Sequence, residues 1–180
     1  QIKWETGPNQ GGNVTRNRLL KLSTGEWLQY LDADDYLLPE KVSTQLAEAQ
    51  DPDSHDLLWS PGVYEYWDED GTVRQKPQAL LDEDPWVALI RWRLPQTGAS
   101  LWRSSKVKSV GGWKPDQPRC QEHELYLRLL QHDARFKFCP SALSVYRQWS
   151  LDTVCRRDPL STTRTRMQVV ENAESILQST

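Results

Sequence analysis

The sequence has no apolar run approaching the roughly 20 residues that a bilayer crossing requires. Its opening residues, Gln1-Ile2-Lys3-Trp4-Glu5-Thr6, are polar and lack the pattern of a secretory signal. Cysteine is scarce. Cys120, Cys139 and Cys155 are odd in number and far apart, so they show neither metal-ligand spacing nor a disulfide framework, and a reducing compartment is the simpler reading. Neither sign of charge dominates: the net charge of −3 argues against a protein that grips a nucleic-acid backbone, and no nucleic-acid partner is expected. No transmembrane segment, internal repeat or low-complexity tract is present. The expected location is the cytoplasm, with the inner face of the membrane as the alternative. The sequon Asn13-Val14-Thr15 is read as chance in a chain without a secretory signal.

What remains is a globular enzyme or binding domain of 180 residues, long enough to bury a substantial core. Nine tryptophans are expected mainly in that core, with one or two free to stack on the apolar face of a sugar. Along the chain, residues 2–6 read as a strand and Gly7 to Gly12 as a loop. A helix capped by Asn13 or Thr15 runs to about Leu22 and closes at Gly25. Trp27 to Leu31 reads as a second strand, and Pro39 opens a helix whose Val42, Leu46 and Ala49 share one side. This alternation predicts an α/β sheet. Further strands are expected at 57–59, 63–67, 72–74, 99–103 and 135–138. Helices are expected at 84–92, 122–132 and 165–177, the last amphipathic.

The second strand ends in Asp32-Ala33-Asp34-Asp35. Three carboxylates within four residues repel one another unless a cation neutralises them. All-oxygen clusters suit Mg2+ or Mn2+, above all when a phosphate completes the coordination. The C-terminal edge of a strand is also where open α/β sheets place their ligands. The plainer reading is a solvated acidic turn with one Asp capping the next helix.

Gly11-Gly12-Asn13-Val14-Thr15-Arg16-Asn17, then Gly25-Glu26-Trp27 to Asp35, then Pro39, resembles the central stretch of the family-two glycosyltransferases. The resemblance implies a Rossmann-like mixed sheet of the A-type glycosyltransferase fold. It also implies an inverting transfer of a sugar from a nucleoside-diphosphate sugar, UDP- or dTDP-linked, to a saccharide or lipid-linked acceptor in polysaccharide biosynthesis. Carried onto this chain, the family's Asp-x-Asp is Asp32 and Asp34, which would touch the nucleotide and a Mn2+ or Mg2+ ion. Asp35 would assist there or cap the following helix, and Arg16 would lie near the nucleotide. Thr15 stands where the family usually has alanine.

Inverting transfer needs a carboxylate to accept the proton of the attacking hydroxyl, while a metal stabilises the departing diphosphate. A second acidic site distant from the first is therefore required, and Gln121-Glu122-His123-Glu124-Leu125-Tyr126-Leu127-Arg128 supplies one. In the family a carboxylate stands six residues before an arginine on this helix. That register selects Glu122, with Glu124 in reserve, although aspartate is the commoner residue. Acids in a first helical turn are also favoured by the dipole without any catalysis. Trp113, in the Gly111-Gly112-Trp113 loop, is a candidate for acceptor stacking, with core packing as its alternative. Tyr146-Arg147-Gln148-Trp149 resembles a late family segment, with Trp149 where a histidine is common.

The resemblance covers residues 2–155 and begins in the middle of the family pattern, whose first strands and early aspartate have no counterpart here. Weak donor binding by this chain alone is the corresponding expectation. Residues 1–155 are taken as the partial catalytic domain and 156–180 as a C-terminal amphipathic helix. Two other functions fit parts of the sequence. One is a sugar-nucleotide-binding module without activity. The other is a phosphohydrolase of the haloacid dehalogenase type, against which Tyr36 stands where Thr or Val is usual.

Overall fold

The computed structural model describes residues 2, 4–68, 70–148 and 158–179. In chain order the elements are α1 (Gly12–Leu22), β1 (Trp27–Leu28), β2 (Tyr36–Leu37), α2 (Lys41–Glu48), β3 (Leu57–Trp59), β4 (Val63–Trp67) and β5 (Val73–Pro77). They continue with α3 (Pro85–Ile90), β6 (Ser100–Arg103), α4 (Ser104–Ser109), α5 (Gln121–Gln131), β7 (Phe136–Phe138), β8 (Ser144–Gln148) and α6 (Pro159–Ser179).

Two mixed four-stranded sheets organise them. The first runs β1-β6-β3-β7, antiparallel except for the parallel pair β3 and β7. The run Leu57-Leu58-Trp59 is buried at every residue, as expected of a strand covered on both faces. Leu57 and Trp59 enter the main core with Trp102, Leu125 and Tyr126. Leu58 points the other way, into a smaller cluster with Ala49, Leu101 and Cys139. Each such side chain contributes about 1.5–3 kcal/mol of hydrophobic stabilisation. The second sheet, β2-β8-β4-β5, pairs β4 with β8 in parallel and is otherwise antiparallel.

The helices follow from local chemistry. Asp84 caps α3 by accepting hydrogen bonds from the amides of Trp86 and Val87, with Pro85 in the first turn. α5 buries Leu125, Tyr126, Leu129 and Leu130 along one side. α6 begins six residues before the predicted position and lays Val169 and Ala173 into the core against α3 and α5.

Several sequence expectations are corrected. Residues 2 and 4–6 form no strand; Ile2 and Trp4 are exposed, and no described strand lies alongside to complete a ladder. The second strand stops at Leu28, where its pairing with β6 ends; beyond it the Gln29 side chain donates to the carbonyls of Tyr30 and Gly98. Gly11, at φ +90°, occupies the N-cap of α1, and Ser23 rather than Gly25 is its C-cap. In α2 the buried polar residues are Lys41 and Gln45, while Val42 is exposed. The inner face of that helix satisfies backbone carbonyls: the Gln45 amide donates to Leu58 on β3 and to Ala99, just before β6. A 2-residue strand, β2, follows directly on the acidic turn. The boundary at residue 155/156, Cys155 and Trp149 lie outside the described residues.

Candidate active site

Arg16 is the side chain on which the site converges. Its Nη2 donates to Asp32 Oδ1 at 2.7 Å and its Nη1 to Gln121 Oε1 at 2.8 Å. The guanidinium lies over the Trp113 ring, 4.8 Å from its centroid. Its planar fork suits this bridging, since separate N–H groups point at separate acceptors. One residue thereby ties the acidic turn after β1 to the N-terminus of α5, where Glu122 stands. The sequence separates these two acidic sites by some ninety residues, and the fold joins them through α1.

The spacing of α1 explains how. Asn13, Arg16, Asn17 and Leu20 lie at i, i+3, i+4 and i+7, which is one face of a helix. That face is turned inward. The Asn13 amide donates to the carbonyls of Lys114 and Gln117 at 2.7 and 3.2 Å, so it staples a loop and caps no helix. Asn17 donates to the Trp113 carbonyl at 2.6 Å and accepts from the Trp113 amide at 2.8 Å. From the other side, Arg128 donates to the carbonyls of Val110 and Gly112. The loop carrying Gly111-Gly112-Trp113 is thus fixed by α1 and α5 together. Gly112 suits its place: φ is +74°, and a Cβ there would meet Asn17 Oδ1 at 2.5 Å. Neither Asn17 nor Gln121 was singled out from the sequence. The available signal was the polar i, i+3, i+4 stripe beside Leu20.

The three aspartates differ. Asp32 is held by Arg16 with its side chain 42% exposed. Asp34 is exposed, and no hydrogen bond or ion pair engages it among the described residues. Asp35 is partly buried and accepts from the Arg147 amide at 3.0 Å. Its carboxyl is pushed up to about 7 by burial; the Arg147 amide opposes this, and the charges of Asp34 and Asp32 add to it. Asp35 and Tyr36 also line a shallow open hollow with Gln96, Gly98 and Tyr146. Behind it Glu65 accepts from the Tyr36 hydroxyl, Gln75 and Trp67 and faces Arg147. The Tyr36 hydrogen bond, then those of Gln75 and Trp67 and the charge of Arg147, lower Glu65 to about 2 against the opposing effect of burial.

Among the described residues no group of three or more His, Cys, Asp or Glu side chains is arranged to hold a metal ion. Asp32 and the unengaged Asp34 fit a hard cation that takes one or two protein carboxylates and draws its remaining ligands from a phosphorylated substrate.

On α5, Glu122 keeps 23% of its side chain exposed and lies 3.4 Å from His123 Nδ1. Burial works against its ionisation, but His123, the helix amide and Arg16 outweigh it, and the carboxyl titrates below the ordinary glutamate range. Glu124 is engaged by Arg128 in a two-point pair, both contacts at 2.7 Å. Trp113 has no exposed surface and packs edge-on against Tyr30. The expected acceptor-stacking ring therefore sits inside the core, beneath Arg16. Trp59 and Trp102 are also fully buried, whereas Trp4 and Trp67 are exposed.

A family model described as glycosyl transferase family 2 matches residues 2–108. An uncharacterized glycosyltransferase of Methanocaldococcus jannaschii is 26% identical over 143 residues, covering 77% of this chain and 48% of the relative. One from Haemophilus influenzae is 27% identical over 126 residues, covering 68% of this chain and 42% of the relative. The chain thus spans about half the length of these curated relatives. Among solved structures, S. aureus TarS residues 1–349 in complex with UDP-GlcNAc superposes with a TM-score of 0.66 at 14% identity, over 91% of this chain and 47% of that one. That likeness shows the fold, the A-type glycosyltransferase architecture.

Proposed function

The chain belongs to glycosyl transferase family 2, and from that premise we propose that it carries the donor and catalytic site of an inverting sugar transferase. Membership in this family sets aside the phosphohydrolase alternative. The observation that supports the reading is the Arg16 bridge from Asp32 to Gln121, which links the acidic turn after β1 to the residue that precedes Glu122.

In this reading Asp32 and Asp34 face the diphosphate of the donor and would hold a Mn2+ or Mg2+ ion there. That ion, when bound, neutralises charge on the leaving diphosphate. Arg16 orients Asp32 and adds positive charge near the phosphates. Glu122, kept ionised by His123 and Arg16, accepts the proton of the acceptor hydroxyl. As that oxygen bonds to the anomeric carbon from the face opposite the diphosphate, the carbon–oxygen bond to the diphosphate breaks. The products are an inverted glycoside, a nucleoside diphosphate and protonated Glu122. TarS was solved with UDP-GlcNAc, which favours a UDP-sugar as the first donor to try; the acceptor is a saccharide or lipid-linked hydroxyl. Arg128 and Glu124 serve the site by fixing the 111–113 loop.

Calorimetric titration of UDP, dTDP and GDP, each with and without Mn2+, tests the donor half. Metal-dependent binding lost in Asp34→Ala is expected. Equal affinity with and without metal, or full binding by Asp34→Ala, would leave the cluster a solvated turn and remove the reading. For the base, Glu122→Gln should keep UDP binding and lose turnover by 10²-fold or more, the usual range for general-base catalysis. Unchanged turnover would exclude Glu122. A binding module without activity would bind UDP-sugar and never release UDP from it.

A further inference from the structure

We infer that helix α6 acts on the base through a stack of three side chains, Arg166, Trp92 and His123, with His123 the positioning residue that touches Glu122. The inference rests on the assignment of Glu122 above.

His123 is 5% exposed, and neither of its ring nitrogens has a hydrogen-bond partner among the described residues. Its Nδ1 faces Glu122 Oε1 at 3.4 Å, just beyond good hydrogen-bond length. A buried ring nitrogen left unpaired costs stability, and contacts of this kind commonly tighten only when substrate is bound. The ring is packed between aromatic side chains. It stacks flat on Trp92, with centroids 3.9 Å apart and planes 5° from parallel, and meets the edge of Tyr126 at 5.9 Å. Trp92 is itself held at φ +58°, a backbone conformation unfavourable for a bulky residue.

α6 closes the arrangement. The Arg166 guanidinium lies 4.5 Å from the Trp92 centroid, within cation–π range. The start of the helix is tied to the approach to α5, since Arg119 donates to Ser161 Oγ at 3.0 Å and faces Asp158 at 3.8 Å. Val169 and Ala173 anchor its middle in the core. The charged and titratable groups around the pair are Arg16 from α1, Tyr126 on α5 and Arg166 across Trp92 from α6. The contacts thereby run without a break from Arg166 of α6 through Trp92 and the imidazole to the carboxylate that accepts the proton.

The test is carbon-13 NMR of the Glu122 carboxyl, assigned with Glu122→Gln and followed across pH in wild type, His123→Phe, His123→Gln and Arg166→Met. His123→Phe keeps an aromatic ring against Trp92 and removes the nitrogen, so the carboxyl should titrate at higher pH than in wild type. Arg166→Met should shift it in the same direction by less, with Mn2+-dependent UDP binding unchanged. In turnover, His123→Phe should lower kcat more than it raises KM and move the acid limb of the pH profile upward. An unmoved Glu122 titration in folded His123→Phe and His123→Gln overturns the positioning role. A shift in those variants but none in Arg166→Met overturns the part of α6. Full turnover by Glu122→Gln removes the base assignment instead, while the carbon titration still reports the stack.

Discussion

Replacing Asn17 with alanine tests whether α1 truly positions the loop before the base helix. The side chain makes two hydrogen bonds to one residue: its amide donates to the Trp113 carbonyl at 2.6 Å and its oxygen accepts from the Trp113 amide at 2.8 Å. Trp113 is wholly buried, so truncation strands both a donor and an acceptor. Leaving a buried polar group unsatisfied costs about 1–3 kcal/mol. Because Asn17 itself is only partly buried, water can reach some of the vacated space, and a total loss of about 2–4 kcal/mol is expected. Arg18→Ala is the internal control. It removes the next side chain, whose pair with Glu5 is more than 40% exposed on both sides, and should cost at most about 1 kcal/mol. Urea unfolding monitored by far-UV circular dichroism reads both, with an unchanged m-value required for the comparison. A second consequence is functional: a loosened Trp113 no longer supports Arg16 from below, so Mn2+-dependent UDP binding should weaken in Asn17→Ala and not in Arg18→Ala. If Asn17→Ala is no less stable than Arg18→Ala, α1 does not staple the loop and the account of the site fails.

Lys41 is buried, and burial pulls its ammonium down to about 7, slightly opposed by Cys139. At this side chain the unfolded chain binds more protons than the folded one between pH 7 and about 10, so its contribution to stability rises with pH across that window, by about 2 kcal/mol from pH 7 to 9. Cys139, whose thiol burial pushes up to about 12, opposes it from about pH 8.5 upward, so the Lys41 share is read as the difference between wild type and Lys41→Met in denaturation at those two values. Gly112→Ala combines φ +74° with a Cβ 2.5 Å from Asn17 Oδ1, whereas Gly111→Ala has φ +81° and open space. The first should cost about 2 kcal/mol or more and the second about 1 kcal/mol, measured by the same unfolding assay. Asp84→Ala removes the cap on Trp86 and Val87 and should cost about 1 kcal/mol without altering UDP binding.

Much of the element order was legible from local chemistry. The continuous apolar run at 57–59, the helix expected at 84–92 and the amphipathic helix expected at 165–177 each carry their signal within their own residues, although the last begins earlier, at Pro159. The acidic turn and the helix bearing Glu122 were legible too, because a carboxylate cluster is written in consecutive positions. What local sequence misjudged was pairing. Residues 2 and 4–6 have strand-like composition but no strand beside them among the described residues, and Trp27 to Leu31 is shortened to the two residues that find partners on β6. Strand extent depends on a partner that the segment itself does not contain.

Local order sets which acids stand together in the chain, Asp32 with Asp34 and Glu122 with Glu124, along with the helical spacing of Asn13, Arg16 and Asn17. Their surroundings come from the fold. It engaged Glu124 with Arg128 and left Asp34 unengaged, buried Trp113 under Arg16, and let one guanidinium reach both Asp32 and Gln121. The physical reason is that charge and spacing are properties of the segment. Burial, desolvation and the supply of partners belong to whatever distant segment the fold lays against it.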